Sequence, residues 1–382
     1  MRSPKIAIVH DWLDSWGGAE LALAELVVLF PDADLFTLVD FMPAADRQRL
    51  GGRTFHTSFV QHLPFARTAF RRYLPLFPQA IERLDLSAFD LVISSSHAIA
   101  KGVRTSRRQL HICYCYSPMR YAWDLQDQYL RQVGLDRGIA GRFARLMLAR
   151  LRRWDRAASA RVNHFVAISR YIADRIERCY ERGSTVVYPP VPEPPIPTDV
   201  PRGAIYVTVS RLVPYKRVDV IVEAFRRLPD RELVVLGDGP ERTRIAARAG
   251  ANVTLAGRLP DLQRNHHLAS ARAFLFAAEE DFGIAPLEAQ ALGTPVIAYA
   301  RGGVMETIRG LDDPTPTGVF FHEQTPEAIA AAVRAFEANG IKITPLACRD
   351  NARRFSTDRF RREFGAFVAD RWAEFATRGE VG

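Results

Sequence analysis

Short apolar runs rich in Val, Ile, Leu and Phe alternate with helix-like segments along nearly the whole chain. Such alternation is typical of parallel strands that helices cover on both faces of a sheet. A proline-rich stretch at residues 188–197 divides these runs into two groups, because it can form neither a helix nor a central strand. The predicted strands are residues 6–9, 35–39, 91–95, 111–116 and 165–168 before this stretch and 205–209, 233–236, 273–276 and 295–299 after it.

This pattern predicts an α/β protein with two doubly wound, Rossmann-like domains that face a central cleft. We place the first domain at residues 1–190, a linker at 191–203 and the second domain at 204–355. A helical pattern with an aromatic stripe follows at residues 356–382. A chain of 382 residues is long enough to give each of two domains a full core.

The composition favours a cytoplasmic protein. Hydrophobic residues make up 48% of the chain and charged residues 25%, which is ordinary for a soluble globular protein. No run approaches the roughly 20 apolar residues of a membrane helix, and the first strand begins too early to leave room for a signal peptide. Four cysteines without a C-x-x-C pair favour a reducing compartment and no structural metal.

The net charge of +9 is confined to the first half of the chain. Residues 1–190 contain 27 Lys and Arg against 18 Asp and Glu, whereas residues 191–382 contain 25 of each kind. Two stretches, residues 67–83 and 138–161, mix arginines with apolar residues at helical spacing. They predict a peripheral face that binds anionic headgroups at the inner face of the membrane. The alternative is that their apolar side chains pack into the core and the arginines are simply solvated.

Residues 279–288 place two carboxylates, Glu280 and Glu288, on either side of a turn that leads into a helix. Pro286 suits a first helical residue, so the backbone of Phe282, Gly283, Ile284 and Ala285 would lie at a helix N-terminus. Free N–H groups and the helix dipole favour an anion there, and ionised carboxylates accept hydrogen bonds from hydroxyls. A ligand with both phosphate and hydroxyl groups fits this arrangement. A solvated acidic turn is the alternative.

Arg211 follows the predicted strand at residues 205–209, and Lys216 lies close to the start of the next helix. Ligands of open α/β sheets bind at this edge, beyond the carboxyl ends of the strands. Two cations there can neutralise a diphosphate without a metal. Ordinary surface charges are again the alternative.

Taken together, these segments resemble the retaining nucleotide-sugar glycosyltransferases of glycosyltransferase family 4, which have the GT-B fold. The resemblance covers nearly the whole chain in order and in spacing. It implies that residues 356–382 form a helix that crosses back to the first domain. The matching positions are residues 17–20, Ser210-Arg211 with Lys216, residues 237–240, Gly257-Arg258, residues 280–288, and Gly302-Gly303 with Glu306.

The resemblance also implies a role for each matched position. Gly17 and Gly18 would face the donor phosphates and the acceptor, and Gly237 and Arg258 would also bind the donor. His97, beyond the strand at residues 91–95, would touch the transferred sugar. Arg211 and Lys216 would stabilise charge on the leaving diphosphate, while Glu280 would hold a sugar hydroxyl and Glu288 the ribose. The predicted catalytic residues are therefore Arg211, Lys216, Glu280 and His97, with a nucleotide-sugar co-substrate and no metal or other cofactor.

Residues 116–124 resemble a subgroup of bacterial mannosyltransferases that build O-antigen or exopolysaccharide repeat units. On this basis Arg120, Tyr121 and Trp123 would bind the acceptor; the alternative is a packed loop anchored by Trp123. The implied reaction moves a hexose, mannose from GDP-mannose, onto a lipid-linked saccharide with retained configuration.

Other functions stay open at this point. The donor could be a UDP-sugar, or the same fold could carry a sugar-nucleotide hydrolase or epimerase. The basic first half also suggests a nucleic-acid-binding module. The cations and carboxylates of the second half, Arg211, Lys216, Glu280 and Glu288, would then have no role, so we expect no nucleic-acid partner. An NAD-dependent oxidoreductase fits poorly, because the chain lacks G-x-G-x-x-G at the first strand-to-helix turn.

Overall fold

The computed structural model describes residues 3–124, 126–132, 134–194 and 200–378. The chain divides into two compact units: unit 1 is Met1–Pro190 together with Asp358–Gly382, and unit 2 is Val191–Thr357. Of the predicted linker at residues 191–203, residues 195–199 lie outside the described residues.

Unit 1 contains a parallel sheet of seven strands within the described residues, in the order β3-β2-β1-β4-β5-β6-β7. The order reverses between β1 and β4, whose registers pair Ala7 with Val92 and Val9 with Ser94. The strands are β1 (Ile6–His10), β2 (Asp34–Thr37), β3 (His56–Thr57), β4 (Leu91–Ser96), β5 (Leu110–Cys115), β6 (His164–Ala167) and β7 (Ser184–Val186).

Helices and 3₁₀ turns surround this sheet. The α-helices described in unit 1 are α1 (Gly18–Leu29), α2 (Ala44–Gln48), α3 (Ala66–Ala69), α4 (Phe77–Glu82), α5 (Gln126–Gln132), α6 (Gly138–Ser159), α7 (Arg170–Tyr180) and, from the end of the chain, α15 (Thr357–Thr377). The 3₁₀ turns are Phe59–His62, Phe70–Leu76 and Ala100–Gly102.

Unit 2 repeats the plan with a parallel sheet of six strands in the part of the chain that the structure describes, in the order β10-β9-β8-β11-β12-β13. Its order reverses between β8 and β11. The strands are β8 (Tyr206–Val209), β9 (Leu233–Leu236), β10 (Val253–Gly257), β11 (Ala273–Phe276), β12 (Val296–Tyr299) and β13 (Gly318–Phe321).

Two buried apolar clusters pack in unit 2. One includes Phe225 and Ile329, and the other includes Leu268 and Ala289. The helices are α8 (Val218–Phe225), α9 (Arg242–Ala246), α10 (Asp261–Ser270), α11 (Ile284–Ala291), α12 (Val304–Thr307), α13 (Pro326–Asn339) and α14 (Pro345–Arg353), with 3₁₀ turns at Pro214–Lys216 and Gly340–Lys342.

The prediction of two doubly wound parallel sheets is confirmed, and all nine predicted strands are present among the described residues. The sequence did not predict β3, β7, β10 and β13, which form the edges of the two sheets. An edge strand that is short or half exposed lacks the continuous apolar run of a central strand. For example, β3 has two residues and every side chain of β7 is at least partly exposed. This does not explain β13, whose sequence GVFF is apolar and mostly buried.

Helix α15 packs on unit 1. Phe360 and Phe364 are fully buried, and their rings lie 5.5 and 5.4 Å from the ring of Tyr114 on β5. Arg359 donates hydrogen bonds to the carbonyl oxygens of Tyr188 and Pro189. The apolar stripe that the sequence pattern predicted in α15 therefore contributes Phe360, Phe364 and Phe375 to the core of unit 1.

The two basic stretches differ in structure. In residues 67–83, Phe70 and Phe77 are buried in the core, as the packing alternative describes, and Pro75 lies inside a 3₁₀ turn. A membrane contact of this stretch stays a prediction. Most of residues 138–161 form the long helix α6 (Gly138–Ser159), in which Leu148 and Leu151 are buried. The described residues include no helix that combines the length and the apolarity needed to cross a bilayer.

Replacing Phe364 by Ala should destabilise unit 1, because it removes a fully buried ring that contacts Tyr114 and Phe360. A buried Phe→Ala substitution costs about 3–5 kcal/mol of unfolding free energy. Denaturant unfolding followed by circular dichroism measures the loss. The control Arg362→Ala, on an exposed position of the same helix, should change stability by less than about 0.5 kcal/mol. Equal stability of both variants would contradict the assignment of α15 to the core.

Candidate functional site

The carboxyl ends of the unit 2 strands converge on one edge of the sheet, where the strand order reverses between β8 and β11. Ligands of doubly wound sheets bind in the crevice at this reversal. The segments that follow β8, β9 and β11 contain most of the donor-binding positions that the sequence singled out in unit 2. These positions are Arg211, Lys216, Gly237, Glu280, Phe282, Gly283, Ile284, Ala285 and Glu288.

Lys216 and Glu280 meet directly at this edge. Lys216 ends the 3₁₀ turn after β8, Glu280 follows β11, and the ammonium and carboxylate groups form an ion pair. Each side chain is 18% exposed, so the pair is partly withdrawn from water but open to a ligand. The structure thus brings together the cation and the carboxylate that the sequence placed 64 positions apart.

The loop after β12 supports the loop that carries Glu280. Glu280 forms an isolated bridge with Gly302, and the N–H of Gly303 donates to the Glu280 carbonyl oxygen at 2.8 Å. Gly302 has φ +81°, and a Cβ atom there would collide with that same carbonyl oxygen. Glycine at this position therefore permits the close approach of the two backbones.

The segment after Glu280 leads into helix α11, with Gly283 as its N-cap at φ +89°. The helix begins at Ile284, two residues earlier than Pro286 had suggested. Pro286 has no N–H to leave unsatisfied in this first turn. The side chain of Phe282 is buried against Phe355, with ring centroids 5.6 Å apart, so only its backbone is available to a ligand.

Arg211 and Gly237 lie at the ends of the neighbouring strands β8 and β9. Arg211 is exposed and stands two residues beyond Val209, the end of β8. A Cβ atom on Gly237 would collide with the carbonyl oxygen of Ser210, and Gly237 has φ +127°. Gly237 therefore lets β9 end close against the backbone that carries Arg211. Arg258, also exposed, follows β10 at the far side of the sheet.

Glu288 lies in α11 and pairs with Arg264 of α10, whose guanidinium is 3.4 Å from a Glu288 carboxylate oxygen. Burial raises the pKa of Glu288, and the charge of Arg264 opposes that rise. Sequence reasoning missed Arg264. Its position in the first turn of a helix that faces α11 follows only from the tertiary packing.

In unit 1 the corresponding reversal point lies between β1 and β4, and it holds two histidines that each face a carboxylate. His97, beyond β4, has its Nδ1 atom 2.9 Å from Oδ2 of Asp11, beyond β1. His10, the last residue of β1, has its Nε2 atom 3.5 Å from Oε1 of Glu20 in the first turn of α1. Gly17 is the N-cap of α1 and Gly18 its first residue.

Burial and charge act in opposite directions on the first of these pairs. Burial disfavours ionised Asp11, but the charge and hydrogen bond of His97 hold the pKa of Asp11 well below its usual range. Burial likewise disfavours charged His97, but Asp11 outweighs it and raises the pKa of His97. Sequence reasoning selected His97 and missed Asp11, although a charged residue directly after a buried strand was a usable signal.

The proposed acceptor residues lie in a packed loop of unit 1. Trp123 donates a hydrogen bond from Nε1 to Oδ2 of the buried Asp155 at 2.8 Å. The guanidinium of Arg152 lies 5.4 Å from the ring centroid of Trp123. Arg120 and Tyr121 are half-buried, and burial raises the pKa of Tyr121. Trp123 thus anchors a packed loop, as the alternative to acceptor binding predicted. An acceptor role for Arg120, Tyr121 and Trp123 stays a prediction.

Two families match most of the chain in succession. Residues 16–193 match Glycosyltransferase Family 4, and residues 197–355 match Glycosyl transferases group 1. The structure of HepE from Anabaena in complex with UDP-glucose aligns with 96% of this chain and 100% of that chain, at a TM-score of 0.66 and 18% identity. At this identity the likeness shows the fold.

Curated relatives match over shorter segments. D-inositol 3-phosphate glycosyltransferase of Mycolicibacterium gilvum is 31% identical over 191 residues, or 46% of this chain and 42% of the relative. A GDP-mannose-dependent monoacylated alpha-(1-6)-phosphatidylinositol monomannoside mannosyltransferase of Corynebacterium glutamicum is 37% identical over 114 residues, or 26% and 30%. The chain spans less than half the length of these two relatives.

Replacing Gly302 by Ala should destabilise unit 2, because the new Cβ would strain a positive φ and displace the Glu280 carbonyl. The expected cost is at least about 1 kcal/mol of unfolding free energy. Thermal unfolding of the variant measures it. Gly340→Ala is the matched control, since Gly340 has φ −59° and a Cβ there would make only ordinary contacts. A Gly302→Ala chain as stable as this control would contradict the close approach of the two loops.

Proposed function

Because the chain is a member of glycosyltransferase family 4 and has the GT-B fold, we propose that it transfers a hexose from a nucleotide sugar to an acceptor hydroxyl with retained anomeric configuration. The observation that supports this most is the meeting of Lys216 and Glu280 where the unit 2 strand order reverses. A cation for a diphosphate and a carboxylate for a sugar hydroxyl then stand at one point, beside the N-terminus of α11.

In this proposal the ion pair of Lys216 and Glu280 rearranges when the donor binds. The diphosphate carries more negative charge than one carboxylate, so it draws the ammonium group of Lys216 toward itself. Glu280 then accepts a hydrogen bond from a hexose hydroxyl. As the bond between the anomeric carbon and the phosphate oxygen breaks, Lys216, Arg211 and the first N–H groups of α11 stabilise the charge on the leaving diphosphate.

Departure of the phosphate and attack of the acceptor on the same face of the sugar would retain its configuration. The leaving phosphate oxygen can take the proton of the attacking hydroxyl, so that no side chain of the chain needs to become a covalent nucleophile. Two cations and helix amides supply the charge neutralisation, and the proposal therefore requires no metal.

Glu288 has a separate role in the proposal, as the acceptor of hydrogen bonds from the ribose hydroxyls. It must be ionised to accept two such bonds. Arg264 favours the ionised form against the effect of burial, which raises the pKa of Glu288. Arg264 also restrains the carboxylate, because it reaches Glu288 from the neighbouring helix α10.

For the donor we propose GDP-mannose, with a UDP-sugar as the second candidate. The mannose proposal draws on the sequence pattern at residues 116–124 and on the GDP-mannose-dependent relative from Corynebacterium glutamicum. The UDP-sugar alternative draws on HepE, whose structure contains UDP-glucose. A panel of nucleotide sugars, assayed with a lipid-linked saccharide, separates the two. Free hexose would instead identify a hydrolase, and an altered nucleotide sugar an epimerase.

For the acceptor we propose a lipid-linked saccharide at the inner face of the cytoplasmic membrane, which unit 1 would reach through α6. The first half of this helix exposes Ile139 and Phe143, at 85% and 63%, on one face. Arg142, Arg150 and Arg153 are exposed beside or beyond them. Apolar side chains that enter the lipid boundary, flanked by arginines that meet anionic headgroups, are characteristic of helices that lie on membranes.

An apolar cavity of about 220 Å³ adjoins this helix and supports the same proposal. Leu74, Pro75 and Met147 line it, with Arg150 among the lining residues. Such a cavity suits an apolar chain with an anionic head. The surface formed by the first half of α6 and this cavity is called the α6 surface below.

Replacing Lys216 by Ala should lower the turnover number by about 10²–10³-fold, because charge on the leaving diphosphate loses a direct partner. Transfer from the preferred donor is measured under saturating conditions, with thermal unfolding as a check on the fold. Lys342→Ala, an exposed lysine in the same unit, is the matched control and should keep wild-type turnover. Wild-type turnover in Lys216→Ala would exclude the proposed role.

Replacing Phe143 by Glu on the α6 surface should weaken binding to vesicles of anionic phospholipid by at least about tenfold, because a charge replaces an exposed apolar ring that would enter the lipid. Co-sedimentation with vesicles at low and high salt measures it. Leu346→Glu, which changes a residue of unit 2 that is 57% exposed, is the control and should leave binding unchanged. Equal loss in both variants would locate the membrane contact elsewhere.

A further inference from the structure

The carboxyl end of β1 holds a buried carboxylate that the proposed chemistry does not use. Asp11 is fully buried, and four consecutive backbone N–H groups beyond β4 donate to it. His97 and Ala98 donate to Oδ2 at 2.5 and 2.9 Å, and Ile99 and Ala100 donate to Oδ1 at 2.6 Å each. Bonds to an ionised acceptor are stronger than neutral ones, so one carboxylate fixes the turn that carries His97.

The same oxygen atom also faces the ring of His97. Oδ2 of Asp11 lies 2.9 Å from Nδ1 of His97. This nitrogen is buried, whereas the His97 side chain as a whole is 31% exposed. The exposed part of the ring is therefore the part away from Asp11, which includes Nε2. The ring of Trp12 packs edge-on against His97 at a centroid distance of 4.6 Å and limits its rotation.

Asp11 thus fixes both the backbone and the ring of His97. We propose, on the basis of the proposed function, that Asp11 is a positioning residue: it holds His97 so that Nε2 points away from Asp11 and can meet a hydroxyl of a substrate bound to unit 1. Asp11 does not touch the sugar itself. Because Oδ2 lies 2.9 Å from Nδ1, Asp11 is placed to accept the Nδ1–H, which leaves Nε2 as the atom that meets a substrate hydroxyl.

A second buried histidine of unit 1 shows what Asp11 contributes. His111 on β5 is fully buried, like Asp11, but its Nε2 atom faces the hydroxyl of Ser94 at 2.9 Å rather than a carboxylate. Burial, with the charge of Arg161, lowers the pKa of His111 to about 3. Burial acts in the same direction on His97, yet its pKa is raised, and Asp11 is the main cause.

The other charged and titratable groups around His97 act more weakly. Glu20 raises the pKa of His97 and Arg71 lowers it, each after the effect of Asp11. The ring of His10 lies 6.3 Å from that of His97, and the ring of Tyr116 lies 6.4 Å away. Tyr116 and His10 are held together by Ser95, whose hydroxyl is 2.9 Å from Nδ1 of His10 and 2.8 Å from the Tyr116 hydroxyl.

The direction of the pH effect follows from this arrangement. Because the folded pKa of His97 is raised, its imidazolium form persists to a higher pH than that of an ordinary histidine. As the pH rises through that pKa, Nε2 changes from a hydrogen-bond donor to an acceptor. Turnover should therefore fall on the alkaline side, and removing the charge of Asp11 should move this fall to lower pH.

The test begins with histidine-selective ¹⁵N NMR on the full chain without donor. We expect Nδ1 of His97 to carry a proton and its titration to lie above the ordinary histidine pKa of about 6.5, while His111 stays neutral. A neutral His97 ring with its proton on Nε2 instead of Nδ1, or a His97 that titrates below that value, would overturn the inference. This result does not depend on whether any donor is turned over, so it fails independently of the proposed function.

Kinetics then separate positioning from a merely structural role. Asp11→Asn should lower the turnover number by about 10²-fold and shift its alkaline limb to lower pH, while the exposed Asp32→Asn control leaves both unchanged. In a His97→Ala background, Asp11→Asn should cause little further loss, because Asp11 acts through His97. Losses that add in full, with an unmoved alkaline limb, would show a structural role only. If Asp11→Asn does not fold, the wild-type NMR titration decides.

Discussion

Parallel pairing of the strands is the constraint on which both candidate sites depend. Every strand pair that the structure describes in either sheet is parallel, so within each sheet all carboxyl ends lie at one edge. The order reverses between β1 and β4 in unit 1 and between β8 and β11 in unit 2. At such a reversal the connecting helices leave in opposite directions, and the loops on either side open a crevice.

The reversal of strand order brings different side chains together in the two units. In unit 2 the reversal brings a lysine and a glutamate together, and close-packed glycines hold their loops in place. In unit 1 it brings the fully buried Asp11 together with the partly exposed His97. In unit 1 this pairing lowers the pKa of Asp11 and raises that of His97, although burial acts in the opposite direction on both groups. Each pair is therefore compatible with a stable fold and available to an anionic or hydroxyl-bearing ligand.

The sequence predicted the central strands because they are buried on both faces and read as unbroken apolar runs. It missed β3, β7 and β10, since an edge strand need not be apolar on both sides, and it also missed β13, although the sequence GVFF is apolar. Lys216 and Glu280 could be predicted as neighbours because both follow central strands that were recognised. Asp11 and His97 also follow recognised central strands, so the same reasoning could have predicted their pairing, although Asp11 was missed. Arg264 could not be assigned in this way, because it lies within helix α10 and reaches Glu288 only through tertiary packing.

Helix α6 shows a further limit of periodicity. The apolar stripe along residues 138–161 is continuous in sequence, but Leu148 and Leu151 are buried while Ile139 and Phe143 are exposed. A hydrophobic pattern records which side chains share a face of a helix, and it does not record whether another element covers that face. The exposed first half is what gives the membrane proposal its physical basis.

The most direct test of the account is a crystal structure of the chain with GDP-mannose or a UDP-sugar bound. The account predicts the diphosphate within hydrogen-bond distance of Lys216 and the first N–H groups of α11, with Glu280 on a hexose hydroxyl and Glu288 on the ribose. A nucleotide bound away from these residues, with the ion pair of Lys216 and Glu280 intact, would contradict it.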